Sequence, residues 1–208
     1  MKTRTNQEQF WKGSFGDEYS QRVDGDDLIK KNEYLFSKIF TNSNIKIDSI
    51  LEFGANIGLN LKALQNINDK FELSAIEINS SAVSRLRDLN LKAIYEESIL
   101  NFETDYKRDL VFTKTVLIHI NPKELQKVYQ TLYESSKKYI LIIEYYNPTP
   151  TEVEYRGYSE KLFKRDFAGE LLDKFKDLQL LDYGFMYKRD LKNPMDDLTW
   201  FLLEKKGN

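Results

Sequence analysis

The chain of 208 residues has no cysteine and one histidine, His119. The absence of cysteine excludes disulfides, thiol nucleophiles and thiolate metal sites, and it suits the cytoplasm. A single histidine excludes a histidine-rich zinc centre, so no metal site is expected. Long apolar runs are also missing. The longest strongly apolar stretch is YILII at 139–143, far short of the ~20 residues that span a bilayer. The first twenty residues, MKTRTNQEQFWKGSFGDEYS, lack an apolar core, so no signal peptide and no membrane association are expected. Neither charge sign dominates: 31 Lys and Arg face 33 Asp and Glu, a net charge of -2. No overall basic surface for nucleic acid follows from that balance.

What is present is globular: 41% hydrophobic and 31% charged residues in a chain long enough for one ordinary domain. Residues 1–25 are polar but carry Phe10, Trp11, Phe15 and Tyr19. This segment either packs on the domain or closes over a site as a lid. Residues 26–208 read as a single domain. DDLIKKNEYLFSKIF (26–40) has helical spacing with Asp26 or Asp27 as cap. Strand and helix then alternate. IKIDSILEF, FELSAIEI, LKAIYE, DLVFTK and KYILIIEYY are predicted strands. GLNLKALQNI, NSSAVSRLRDL, a helix opened by Asn121-Pro122, and KRDFAGELLDKF lie among and after them. LQLLDYGFMYK and LTWFLLEKK close the chain with no helix between them. The prediction is an α/β, Rossmann-like, doubly wound and mostly parallel seven-stranded sheet with a C-terminal antiparallel hairpin.

In such a sheet ligands bind beyond the carboxyl ends of the strands. There the first strand runs into ILEFGANIGLN (50–60), a turn with Gly54, Ala55, Asn56 and Gly58. The run fails the G-x-G-x-x-G spacing that seats a pyrophosphate. Glu52, two residues before Gly54, would repel such an anion. It would favour the ammonium end of S-adenosylmethionine, which has no phosphate. Glu77 ends the next strand, 23 residues beyond Gly54, where a carboxylate accepts ribose hydroxyls. Asn56 stands where many such loops have glycine, and Asn tolerates positive φ.

ILEFGANIG, AIEIN and DLVFTKTVLIHINP, in that order, resemble the class I S-adenosylmethionine-dependent methyltransferases. The chain is closer still to the methyltransferases associated with pseudaminic acid biosynthesis. It shares segments like FWKGSFGDEYSQR, TKTVLIHINP, EYYNPTP, YRGYSEKLFKRDFAGE and DYGF with them. The resemblance implies S-adenosylmethionine as cofactor. Glu52, Gly54, Ala55, Asn56 and Gly58 would surround its methionine end and Glu77 its ribose. Ile78, Ser98 and Ile99 would flank adenine, and Thr113 and Lys114 the methyl-transfer region. His119 is the candidate base, an orienting residue or a structural one; an ordinary pKa of ~6.5 would suit a base. Tyr19 is a second candidate near the methyl group. Trp11, Glu144, Tyr145 and Tyr146 are candidate acceptor contacts, and Arg156, Lys164 and Arg165 a positive set for a carboxylate or phosphate. The expected acceptor is a small molecule, an amino or nonulosonic sugar or its nucleotide derivative, with nitrogen preferred to oxygen. A protein or peptide methyltransferase and a non-catalytic S-adenosylmethionine-binding protein are the alternatives. A monomer or homodimer is expected.

Overall fold

The computed structural model describes residues 5–22 and 25–207. Residues 1–4, 23 and 24 of the N-terminal segment, and residue 208, lie outside the described residues. The main sheet has seven strands, in the spatial order 93–96, 72–77, 49–53, 108–114, 136–144, 198–205 and 178–186. The chain divides into two compact units, Met1–Glu103 and Thr104–Asn208.

Unit 1 opens with α1 (Asn6–Lys12), whose capping box joins Thr5 and Glu8, and α2 (Ser14–Arg22). α3 (Asp26–Ser43) buries Asn32, Leu35, Phe36 and Ile39. Its cap is Gly25, with no side-chain bond, so Asp26 and Asp27 lie inside the first turn. There they meet the positive end of the helix dipole instead of capping it. β1 (Ser49–Phe53), β2 (Glu72–Glu77) and β3 (Ala93–Glu96) pair in parallel. Their crossovers are α4 (Leu59–Ile67) and α5 (Ser80–Leu86). Ile50, Leu51, Phe53, Ala75 and Ile76 are fully buried, as expected of parallel strands covered on both faces.

In unit 2, β4 (Arg108–Lys114) pairs in parallel with β5 (Ser136–Glu144). Between them lie two 3₁₀ turns, Leu117–His119 and Pro122–Glu124, and α6 (Leu125–Ser135). The Asn121 side chain accepts from Lys123 N at 3.0 Å. The helix expected at Pro122 therefore begins as a tight turn and becomes α-helical at Leu125. β6 (Thr151–Tyr155) and β7 (Tyr158–Lys164) form a separate antiparallel hairpin. Arg156 and Gly157, with φ of 53° and 83°, make the two-residue turn that matches strand twist. α7 (Phe167–Lys174) follows, capped by Asp166 on Gly169 N. β8 (Leu178–Met186) and β9 (Leu198–Lys205) are the expected C-terminal antiparallel pair. β9 pairs antiparallel with β5, so the last strand lies inside the sheet and β8 at its edge. No helix among the described residues is long and apolar enough to cross a membrane.

Gly184 of β8 pairs with Trp200 of β9. A Cβ at Gly184 would stand 2.0 Å from the Trp200 ring, which is 2% exposed. Gly184→Ala should therefore cost about 1–3 kcal/mol, read as a lower urea midpoint. Adding Trp200→Leu should recover part of the loss.

Candidate active site

In unit 1, three residues of the turn after β1 adopt left-handed backbone: Gly54 (φ 76°), Asn56 (φ 48°) and Gly58 (φ 82°). The expected tolerance of Asn56 for positive φ is thus in use. The turn is tied to β2. Gly54 N and Ala55 N donate to Ile76 O at 2.9 and 3.0 Å, and Asn56 N donates to Glu77 Oε2 at 2.7 Å. The other Glu77 oxygen accepts from Asn79 N at 2.8 Å. Burial pushes the Glu77 carboxyl above its usual range, and the N–H groups of Asn79, Asn56 and Ile78 oppose that rise. Each carboxylate oxygen has two acceptor sites, so Glu77 keeps capacity for hydroxyl donors. Glu52 is fully buried and accepts from Asn60 Nδ2 of α4 at 2.6 Å. Asn60 thus orients the acid that the sequence places before the turn. Ser98 is 3% exposed, and its hydroxyl accepts from Leu100 N at 3.1 Å. Ile99 is buried beside it and Ile78 is half-buried.

The N-terminal helices dock on these same residues. Asn79 caps α5 through Ala82 N, and its amide donates to Asp17 Oδ1 at 2.8 Å and to Trp11 O at 3.3 Å. The Ser20 hydroxyl lies 2.9 Å from both Gly16 O and Asn56 Oδ1. Arg85 of α5 donates to Ser20 O at 3.2 Å. Trp11 and Tyr19 are half-buried and pack edge to face, with centroids 5.3 Å apart. Asp17, Ser20, Asn60 and Asn79 carry no role in the sequence reading. Only the Asn79-to-Ala82 cap was signalled locally, by an Asn before a helix.

A donor set of two carboxylates around a turn of left-handed residues fits a ligand with a cationic amino-acid end and a ribose. It does not fit a pyrophosphate, which Glu52 beside the turn would repel. Glu52, Gly54, Ala55, Asn56, Gly58 and Glu77 are therefore the residues that would hold S-adenosylmethionine.

In unit 2, Thr113 ends β4 fully buried, and its hydroxyl has no hydrogen-bond partner among the described residues. Lys114 is half-buried and close enough to Glu144 to favour its ionised form. Thr115, the next residue, has φ 56°. A β-branched residue there is strained, a state that functional sites tend to store, and nothing in the local sequence signals it. Glu144, expected to meet an acceptor amine, is 3% exposed. Its Oε1 accepts from Val116 N and Leu117 N, both at 2.9 Å. It holds the turn that carries His119. Its second oxygen is buried without a hydrogen-bond partner among the described residues. Burial, opposed by the N–H groups of the turn, pushes its pKa up to about 7.

His119 is 8% exposed, and its Nδ1 lies 2.6 Å from Lys161 O of β7. A carbonyl only accepts, so Nδ1 carries the proton and the neutral ring presents Nε2 as an acceptor. Burial lowers its pKa to about 4. The ordinary value expected from sequence is therefore corrected, because a charged ring is disfavoured away from water. Tyr155 packs on the ring with centroids 4.8 Å apart.

The expected positive set is dispersed. Arg156 stands at the hairpin tip and Arg165 beyond the far end of β7. Those ends lie about 25 Å apart along an extended strand. Arg165 is paired with Glu170 at 2.6 Å, and Glu170 also accepts from Tyr129. Lys164 alone of the set joins the tyrosines: its ammonium lies 5.2 Å above the Tyr145 ring. The Tyr145 hydroxyl donates to Asp196 at 3.0 Å, and Tyr146 is exposed against Phe201.

No family profile matches the chain, and no curated protein matches it by sequence. Solved structures do match in fold. A plantazolicin methyltransferase in complex with SAH superposes with TM-score 0.65 at 16% identity, over 96% of this chain and 93% of that one. Magnesium protoporphyrin IX methyltransferase from Synechocystis PCC 6803, with bound SAM, gives 0.67 at 10% identity, over 99% and 100%. The 1,6-didemethyltoxoflavin-N1-methyltransferase of Burkholderia thailandensis, with S-adenosylhomocysteine, gives 0.69 at 9% identity, over 96% and 87%. At these identities the likeness is one of fold.

Two measurements check the site's internal bonds. Folded Glu144 holds a proton up to about pH 7, whereas its ordinary value is 4.5. Through Glu144 the folded state binds more protons across that window, so this contribution to stability falls as pH rises, while neutral buried His119, held near 4, contributes the opposite slope below pH ~6.5. Glu144→Gln removes the falling contribution, so the variant's stability should rise more steeply with pH between about 4 and 7 than the wild type's, read from urea midpoints. Asp17→Ala removes a charge-assisted bond, and hydrogen exchange in residues 6–22 should rise about tenfold or more. Exchange in β1 and β2 should stay unchanged.

Proposed function

We propose that the chain is an S-adenosylmethionine-dependent methyltransferase acting on a small molecule, an amino or nonulosonic sugar or its nucleotide derivative. The cofactor reading is carried by one observation. Glu52, one residue before the end of β1, and Glu77, the last residue of β2, lie on adjacent parallel strands beside a turn whose residues 54, 56 and 58 are all left-handed. The shared fold with methyltransferases of diverse acceptors supports methyl transfer in general. The sugar acceptor rests on the sequence resemblance together with Tyr145, Tyr146 and Lys164. Residues 26–208 act in this reading as one methyltransferase domain, with the N-terminal helices as its lid and Trp11 and Tyr19 as its acceptor-side rings.

When bound, the cofactor supplies a methyl group already activated on a sulfonium. The protein's task is to orient the acceptor and exclude water. Neutral His119 accepts a hydrogen bond from the acceptor through Nε2. A ring with a pKa of about 4 draws a proton poorly from a hydroxyl. A neutral amine needs no such help: it attacks with its own lone pair and loses its proton to water afterwards. Nitrogen is therefore the acceptor atom in this reading. Glu144 is a positioning residue that holds the His119 turn.

Calorimetry should show S-adenosylmethionine binding to the full chain, weakened at least tenfold by Glu77→Ala, the loss of ribose hydrogen bonds to a charged group. Unchanged affinity in that variant would remove the cofactor assignment. Mass spectrometry of aminosugar nucleotides and nonulosonic acids should then show a gain of one methyl group. His119→Ala, which removes one orienting hydrogen bond, should lower kcat/KM by about tenfold, and the wild-type rate profile should lack an imidazole step at the ordinary ~6.5.

A further inference from the structure

We infer that an open pocket wholly within unit 2 is the recognition subsite for an anionic sugar, a cyclic polyol bearing a carboxylate or a phosphate. The inference rests on the acceptor class proposed above and gives it a charge and a place. The pocket has a volume of about 480 Å³, within the range of small-molecule sites. It lies where β5 ends, because Tyr145 and Tyr146 follow that strand directly and Thr199 pairs with Glu144. Phe185, paired with Thr199 on β8, forms a further wall.

Two features point to the ligand. Phe185 is 52% exposed and Tyr146 42%. Both rings thus keep apolar surface open to solvent, and the C–H face of a sugar ring packs on such surfaces by dispersion. The second feature is the charge pattern. Of the pocket's acids, Asp197 pairs with Lys188 at 3.4 Å and Asp196 accepts from Tyr145 at 3.0 Å. Lys164 is half-buried over the Tyr145 ring and has no carboxylate partner among the described residues. A half-buried ammonium with an aromatic face on one side and an open pocket on the other calls for an anion. Lys164 is thus the anion handle, and Phe185 and Tyr146 hold the ring of the same molecule.

The test uses the full chain and three probes: N-acetylneuraminic acid for the carboxylate, N-acetylglucosamine 1-phosphate for the phosphate, and neutral N-acetylglucosamine. Binding is followed by saturation-transfer NMR to about 20 mM, a range set by millimolar affinities. At least one anionic probe should bind about tenfold more tightly than the neutral sugar, and the better of the two identifies the anion. Lys164→Met keeps the aliphatic stem and should abolish that advantage without changing neutral-sugar binding. Phe185→Ala, at an exposed position, should weaken all three. Equal binding of charged and neutral probes, a retained advantage in Lys164→Met, or no binding of any probe overturns the subsite. Calorimetry with S-adenosylmethionine on the same variants separates the two readings. If the cofactor binds and the sugars do not, only the subsite falls; if the anionic preference holds and the cofactor does not bind, the methyltransferase reading falls.

Discussion

The buried carboxylate of Glu77 is the constraint on which the rest of unit 1 depends. One oxygen holds the backbone of the glycine turn through Asn56, and the other holds Asn79. Asn79 in turn caps α5 and seats the N-terminal helices through Asp17 and Trp11. A chain of bonds therefore runs from one acid at a strand end to the turn on one side and the candidate lid on the other. Removing the acid would leave buried N–H groups without partners, which costs more than the bonds themselves contribute. Burial of the acid is expensive, and the backbone N–H groups offset it only in part, which is why its pKa stays above the usual range.

Unit 2 repeats the device at the end of β5. Glu144 is buried, accepts two backbone N–H groups and so fixes the turn bearing His119. The imidazole is then clamped at Nδ1 by a carbonyl of β7. Tautomer and protonation state both follow from this packing: the carbonyl demands a donor, and burial suppresses the charge. A histidine of ordinary pKa and one held near 4 do different chemistry, because only the first is well matched to taking up a proton near neutral pH. Fold does not imply substrate, and the similar folds serve unlike acceptors. The acceptor question therefore moves to the residues of unit 2 that the shared fold does not dictate.

Much of the architecture was legible because its signals are local. Alternating strand and helix periods, Gly and Asn at the turn, and Asn121-Pro122 each depend on residues within a few positions. The main departure was the hairpin Thr151–Lys164. Its turn residues Arg156-Gly157 fit a two-residue loop. Its strands, however, bury only Leu162, so apolar alternation was too weak to mark them. The same hairpin undid the expected positive set, since an extended strand carries Arg156 and Arg165 to opposite ends. Charges close in sequence are close in space only if the chain between them turns.

By itself the sequence determined the fold class, the acid–glycine turn–acid pattern at the strand ends and the absence of thiol or histidine metal chemistry. Those follow from period, composition and spacing, which no packing can alter. The tertiary structure alone decided what each polar group is bonded to. Asn79 meets Asp17 across 62 residues, His119 meets Lys161 across 42 and Glu144 meets Val116 across 28. Such pairs are set by topology and burial, and the same burial decides which acids and which histidine are charged.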